Sequence, residues 1–538
     1  HIVGSRTRSW MLMLLGAVAI VLLIACANVA NLILARGAAR ERDIGIRAAL
    51  GASRWRLVRQ MLAESLLLSA AGTACAVVAA WWGVRILRGA LPDDLPRVTT
   101  VTLDVRVLAV AAALSIVTAA LFGLVPALQL SKPDLATTLK EGARGSVGSR
   151  RQRLRGALVV LEVALAVVLL VGAALFIGSF VAVLGIDAGF DPTNVLTAQV
   201  SPQVEPGGQP GNQAVALGDI TDRISAMPGV LHAGVVFGGI PLGSGMFVTT
   251  IAVPGRNLVT GADDGISIRT VTPGYHQAMG IPLRRGRLFD RRDSKGAAGV
   301  VIISDAAAAT YFPGEDPLGR TVTLYGSRTI VGVVGDVHQL SLETAPRVEA
   351  YVPLAQSTVS GGELVIRTVG DPYRLLPQVK AAVFGVLPNV PLRNVRSMEE
   401  VMARRLAQRR LNMLLLGLFG LLGLAISAVG VYGVMAYVVS QRTREIGVRM
   451  ALGATRSRVM VMVLGNAAAM VTTGLVVGGG AAWYLSAAAG AFLFRLQPTD
   501  PRAYAAAMLL LSASALAATV IPARRAARVD PMTALRAE

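Results

Sequence analysis

Seven apolar runs, each long enough to cross a bilayer, divide the chain: roughly Trp10–Ala35, Met61–Leu87, Val105–Leu130, Ala157–Leu184, Leu411–Val439, Val459–Leu485 and Ala503–Ile521. A hydrocarbon core of about 30 Å takes about 20 helical residues, and a helix satisfies its own backbone there. Four runs precede a polar region at 186–410 and three follow it. Within that region the pattern changes. Strand-like stretches fall at Asn194–Val200, Val230–Phe237, Gly299–Ile303, Thr329–Val334 and Leu364–Thr368. Helix-like stretches fall at Ala214–Met227, Asp371–Val386 and Ser397–Leu406. Strand, helix and strand follow one another at 194–238 and again at 362–395, with a mostly β section between. The expected fold of this part is a split two-layer sandwich with a β-rich insertion. Pro202, Pro206, Gly207, Gly208 and Pro210 mark a loop.

Composition agrees with a membrane class: 54% of residues are hydrophobic and 16% charged, where soluble chains average about a quarter charged. The net charge of +20 would suit a nucleic-acid partner, but its placement argues otherwise. Segments 36–60, 131–156, 441–458 and 523–538 hold 23 basic and 7 acidic residues. They alternate with near-neutral loops, and 186–410 has 21 basic against 19 acidic residues. Lys and Arg concentrate on the cytoplasmic side of membrane proteins. The charge therefore sets topology, with the C-terminus cytoplasmic and 186–410 outside, and the partner it implies is a lipid bilayer and no nucleic acid. The fold class expected is a membrane all-α helical bundle, seven spans here, with an α+β extracytoplasmic domain. Cys26 and Cys75 lie inside apolar runs, so they build no disulfide framework in the polar region.

The most specific feature is a repeat. Residues Arg42–Leu57 recur as Arg444–Val459, with ten of sixteen positions identical and four more conservatively exchanged. A weaker match pairs Pro126, Ala127, Asp134, Thr137 and Leu139 with Pro522, Ala523, Asp530, Thr533 and Leu535. The first motif starts as a short helix through Ile44, Gly45, Arg47 and Leu50. Gly51 then sits where a helix end favours a left-handed residue, and Ser53 where the next helix wants an N-cap. Gly453 and Thr455 repeat both signals. A short helix turning sharply into a span is expected twice. The motif's arginines, Arg42, Arg47, Arg54, Arg444, Arg449 and Arg456, could serve only to fix orientation. The retention of Ile446, Gly447, Leu452 and an acidic residue at Glu445 beside them points instead to a docking element for a cytoplasmic partner.

The motif R-[DE]-I-G-[IV]-R-x-A-L-G-A-[ST]-R between two spans resembles the permease subunits of the MacB/FtsX/lipoprotein-release class of ABC systems. Gly274–Phe289, Tyr311–Arg320 and Val331–Val337 resemble stretches of that family's periplasmic core domain. The likeness covers essentially the whole chain and matches the duplicated, acidobacterial-type form, in which eight spans and two outer domains are expected. It implies that 1–9 ends an outer domain whose beginning lies upstream. It further implies a first-half transmembrane domain at 10–130 with motif 42–57, a cytoplasmic linker at 131–156 and the first span of the second half at 157–184. The periplasmic MacB-like core domain is then 186–410, the second-half transmembrane domain 411–522 with motif 444–459, and the cytoplasmic tail 523–538.

The chain has no G-x-x-x-x-G-K-[ST] loop, and none of Lys132, Lys140, Lys295 and Lys380 follows Gly. No nucleophile elbow, zinc-binding helix or metal-ligand histidine spacing is present. The expectation is a permease and not an enzyme, with no cofactor on this chain and ATP bound by a separate cytoplasmic ABC ATPase. The resemblance implies export of macrolides, peptides or lipoproteins, with a periplasmic adaptor or substrate protein as a further partner. The alternative is a scaffold of the FtsX type that regulates periplasmic proteins without moving substrate. Few polar residues interrupt the spans. Asn28 and Asn31 share a helix face and suit interhelical hydrogen bonds. Glu64, Glu162 and Arg85 are expected to snorkel or pair locally near span ends. Gly417, Gly420 and Gly423 permit close helix contact.

Overall fold

The computed structural model describes residues 5–39, 54–90, 104–113, 115–117, 146–201, 211–243, 245, 247–254, 265–358, 361–388, 390–490 and 493–528. The chain forms two compact units, Val183–Gln408 and the remainder on either side of it. The helices are α1 (Ser5–Ala39), α2 (Arg54–Ala90), α3 (Ser146–Leu184), α4 (Gly211–Ser225), α5 (Tyr275–Met279), α6 (Asp305–Tyr311), α7 (Leu376–Phe384), α8 (Met398–Gln441), α9 (Thr443–Ala451), α10 (Arg456–Ala489) and α11 (Pro501–Ala526).

Among the described residues, six helices are long and apolar enough to cross a membrane: α1, α2, α3, α8, α10 and α11. The expected seventh span is seen as a shorter apolar helix, Val105–Val117, and its remainder lies outside the described residues. The chain is a multi-pass membrane protein. The expected helix Ser397–Leu406 and span Leu411–Val439 are one helix of 44 residues. The Arg404–Arg410 stretch interrupts hydropathy, but Arg, Leu, Ala and Gln are all good helix formers, so nothing ends the helix there.

In the helical unit, α3 lies at the centre. Its Val163, Val167, Leu170 and Phe176 share a core with Ile24 of α1, Leu416, Val431 and Met435 of α8, and Leu511 of α11. Small residues bring the backbones close, as is usual between membrane helices. A methyl group on Gly474 would lie 2.5 Å from Val163, and one on Gly478 2.6 Å from the Ala164 carbonyl oxygen. Gly420 and Gly423 approach Ala173 and Leu169 of α3, whereas Gly417 faces open space.

The other unit carries strands β1 (Val195–Val200), β2 (Val230–Phe237), β3 (Phe247–Thr249), β4 (Ile266–Val271), β5 (Leu283–Gly286), β6 (Val300–Ser304), β7 (Thr321–Thr323), β8 (Ser327–Val334), β9 (Glu349–Pro353), β10 (Gly362–Thr368) and β11 (Leu392–Ser397). They form one sheet in the order β11-β1-β10-β2-β4-β9-β6-β8-β5, with β3 on β4 and β7 on β8. β10 is antiparallel to both β1 and β2, and β11 is antiparallel to β1. So β1-α4-β2 and β10-α7-β11 are two interleaved split βαβ units. Period-two alternation sends Leu196, Ala198, Leu364 and Ile366 onto Leu217, Ile220 and Ile224 of α4 and Val379 and Val383 of α7. The insertion between β2 and β10 closes its own core around Ile266, Val301, Ile303, Tyr311, Val333 and Val352. The split sandwich with a β-rich insertion, expected from the pattern alone, is present.

Candidate functional site

The second copy of the repeated motif is described from helix to turn to span. α9 ends at Ala451 with Leu452 as its C-cap, and Gly453 takes φ +93°. The Gly453 N–H donates to Met450 O at 3.0 Å and the Ala454 N–H to Arg449 O at 2.9 Å. These are the paired bonds that close a helix on a left-handed glycine. Thr455 follows in an extended conformation, and its Oγ1 accepts from the Arg458 N–H at 3.4 Å, capping α10. Both local signals read from the sequence operate as expected.

The motif's residues divide between an inner and an outer face. Ile446 is 1% exposed and shares a small core with Val439, Val459, Val463, Ala523 and Ala526, anchoring α9 to α8, α10 and α11. Gly447 is also buried. Leu452 is 82% exposed at the tip of the turn, flanked by exposed Gly453, Thr455, Arg449, Arg456 and Arg458. Glu445 pairs with Arg449 at 2.6 Å on the same helix face. Such an exposed i,i+4 pair contributes only about 0.3–0.5 kcal/mol, so its effect is to orient Arg449. The turn thus presents an apolar knob in a basic rim. The backbone of Arg444 lies in α9, and nothing is described of its side chain. In the first copy, Arg42, Ile44, Gly45, Arg47, Leu50, Gly51 and Ser53 lie outside the described residues, and Arg54 opens α2.

The α+β domain holds a second polar constellation. Arg269 and Glu349 are buried together, with Nε to Oε1 at 3.2 Å. Arg269 also donates to the carbonyls of Gly238 and Gly239. Glu349 Oε2 accepts from Tyr351 Oη at 2.7 Å and Gln339 Nε2 at 3.0 Å. Burial lowers the Arg269 pKa, but the charge and hydrogen bond of Glu349, with the neighbouring Tyr275 and Tyr351, together outweigh it and the net shift is upward. His276 packs edge-on to the Tyr351 ring at 4.7 Å, and burial drives its pKa down to about 3. A cavity of about 270 Å³ opens on the sheet face away from α4 and α7, lined in part by Gln199, Glu363, Asn394, Arg396 and Arg405. Burial raises the Glu363 pKa. Arg405 donates to the carbonyls of Leu242 and Gly243, tying loop 240–243 beside the cavity. Among the described residues no group of three His, Cys, Asp or Glu could hold a metal ion.

Inside the helical unit, Asn28 Nδ2 donates to Ile426 O at 2.9 Å and Asn31 Nδ2 to Glu162 Oε1 at 3.0 Å. The interhelical role expected of both asparagines holds. Glu162 departs from expectation: it neither snorkels nor pairs within its own helix, but is 0% exposed. It sits nine residues inside the span that begins at Arg153, too deep for its short stem to reach the surface. Arg85 stays local, with its guanidinium 5.3 Å from the Trp81 ring.

The family FtsX-like permease C-terminal matches residues 15–135 and 417–531, and the family MacB-like periplasmic core domain matches 157–386. The macrolide export ATP-binding/permease protein MacB of Rhodospirillum rubrum is 29% identical over 299 residues, which is 52% of this chain and 45% of that protein. The probable syringafactin export ATP-binding/permease protein SyfD of Pseudomonas syringae pv. tomato is 29% identical over 311 residues, 53% of this chain and 44% of that one. The chain thus spans less than half the length of these relatives. The solved periplasmic region of MacB from Actinobacillus actinomycetemcomitans aligns at TM-score 0.29 and 16% identity, covering 41% of this chain and 97% of that one. The two halves of the repeat and the domain between them are therefore matched as separate modules: an FtsX-like permease region on either side of a MacB-like periplasmic core domain.

Proposed function

We propose that this chain is the permease of an ABC-type export or mechanotransmission system, driven by a cytoplasmic ATPase on another polypeptide. The observation that carries the reading is the turn at Leu452 and Gly453. It is built rigidly from the inside by Ile446 and the two caps, yet it exposes a leucine among three arginines. A large exposed apolar side chain in a defined turn favours a protein partner, because partner burial returns the transfer free energy that exposure forgoes. The repeat supplies the same residue types at Leu50, Arg47 and Arg54, so two equivalent docking points suit a two-fold ATPase. The basic segments lie on the cytoplasmic side in this reading, which puts the C-terminus inside and the α+β domain in the periplasm of an inner-membrane protein. Motion at the docking turns would pass along α3 and α8, the two helices whose chain continues into the α+β domain. The relatives named for macrolide and syringafactin export support an export role in which that domain handles the cargo.

The test is co-purification. The full chain is co-expressed with candidate stand-alone ABC ATPases, as wild type and as the double variant Leu50→Asp plus Leu452→Asp. Leu452 faces outward and Leu50 is its counterpart in the repeat, so both substitutions should leave the fold intact. At least one ATPase should be retained by wild type and lost, by tenfold or more, from the variant. Equal retention by a correctly folded variant would remove the docking reading.

A further inference from the structure

The polar cluster in the bundle calls for something its visible hydrogen bonds do not supply. Glu162 and Asn31 are fully buried between α1, α3 and α8. One hydrogen bond joins them, from Asn31 Nδ2 to Glu162 Oε1 at 3.0 Å. The other oxygen of each, Glu162 Oε2 and Asn31 Oδ1, has no hydrogen-bond partner among the described residues. Both are acceptors. A carboxylate leaves both unsatisfied in a medium where an isolated ionised carboxylate is among the most costly groups to bury. A carboxylic acid satisfies both at once: its O–H can donate to the amide oxygen while the amide N–H donates back. We propose that Glu162 is a resident proton-binding site, held as a neutral carboxylic acid in a reciprocal pair with Asn31.

The repeat shows why the group fits only here. At the offset of 402 that superposes the two motifs, Asn28 and Asn31 of α1 correspond to Gly430 and Gly433 of α8. One half contributes two amides to the seam and the other contributes two positions without side chains. Glu162 occupies the space this difference creates, for a Cβ on Gly430 would collide with its Oε2. Asn28 closes the same seam by donating to Ile426 O. Among the described residues, the charged and titratable groups that line the cavity beside this point are Arg155 and Tyr437. Arg155, two turns earlier on α3, has its guanidinium 3.8 Å from the centre of the Tyr437 ring. Asn28, Asn31 and Gly430 are not titratable. A metal cation would be the other way to satisfy the two oxygens. Arg155 lines the same cavity of about 10 Å³, together with Asn28, Asn31 and Gly430, and its positive charge opposes one. The proton is the occupant that satisfies both oxygens and leaves the buried carboxyl group neutral, although the Arg155 charge by itself favours the ionised form. Its consequence is a neutral, directional lock joining a helix of the first half to two of the second.

The test is infrared difference spectroscopy on the full chain in lipid nanodiscs near neutral pH, comparing wild type with Glu162→Gln. Wild type should show a protonated carboxylic C=O band that shifts in D2O and is missing from the variant. A difference confined to the carboxylate stretches would overturn the proposal. Glu162→Gln keeps the pairing with a neutral amide, so its thermal midpoint should stay within a few degrees of wild type, whereas Glu162→Ala and Gly430→Ala should both lower it clearly. A Glu162→Gln chain that fails to fold would also overturn it, as would a midpoint that depends on sodium or potassium in wild type but not in the variant.

Discussion

Two buried groups in the α+β domain make residue-scale predictions. Arg269 and Glu349 are 1% and 0% exposed and satisfy each other along with four neighbours. Arg269→Met would leave the carboxylate buried without its countercharge, and breaking such a pair costs about 3–5 kcal/mol. All five tryptophans fall outside this domain, so the measurement is hydrogen exchange in 266–271 and 349–353, where protection should drop by at least a hundredfold. His276 sets a pH dependence. Its folded pKa of about 3 lies below the ordinary value of 6.5. Between those values the unfolded chain binds a proton that the folded domain refuses. Stability contributed by neutral His276 is thus complete above pH 6.5 and is lost as the pH falls toward 3, by about 1.4 kcal/mol per pH unit at the steepest. His276→Phe, which keeps the ring contacts, should flatten that part of the exchange-versus-pH profile. None of these partnerships was legible in the sequence, because Arg269 and Glu349 are 80 residues apart and no spacing rule links them. Asn28 and Asn31 were legible, since residues three apart share a helix face; their partner Glu162, on another helix, was not.

The elements were legible where their signals are local. Gly453 and Thr455 announce a helix end and a helix start within three residues, and both operate as the chemistry of each residue dictates. Strand bounds in the domain were close to the pattern, with Val230–Phe237 matching in full, because one face of each strand packs on helices. The fusion of the last domain helix with the following span was hidden, since charge breaks a hydropathy window without breaking a helix. Gly453 offers a clean measurement at this scale. Nothing lies within 4 Å of where its Cβ would be, so Gly453→Ala introduces backbone strain and no clash. The left-handed conformation costs an L-residue about 1–2 kcal/mol, and Thr455→Ala should cost about 1 kcal/mol more. Hydrogen exchange in 443–451 should therefore quicken about tenfold in the glycine variant, and the two effects should sum within a factor of two if turn and cap act separately. Unchanged exchange in Gly453→Ala would mean that the turn relaxes by another route.

For the whole molecule, hydropathy and the repeat carried most of the architecture, while the order of the sheet did not follow from either. The parallel pairing of β4 with β9 joins segments some eighty residues apart, and register at that range is decided by packing across the insertion, not by any local pattern. Orientation is the property that charge predicts most directly, and it can be measured on the intact chain. The four basic segments carry an excess of 16 positive charges, out of +20 for the whole protein. Transfer of so many Lys and Arg across a membrane is what the positive-inside bias opposes. In a background with Cys26→Ala and Cys75→Ala, a single cysteine is placed either at Tyr325, 73% exposed in the α+β domain, or at Leu452, 82% exposed at the turn between α9 and α10. A membrane-impermeant maleimide added to cells with a permeabilised outer membrane should label Tyr325→Cys and spare Leu452→Cys, and lysis should make both reactive. Labelling of Leu452→Cys from outside would invert the topology and put the exposed turn beyond the reach of any cytoplasmic ATPase. Labelling of neither before lysis would put both units on the cytoplasmic side. Only the first pattern lets α3 and α8 carry motion from a cytoplasmic turn to an external domain, so this measurement decides whether force transmission through the bundle is geometrically possible.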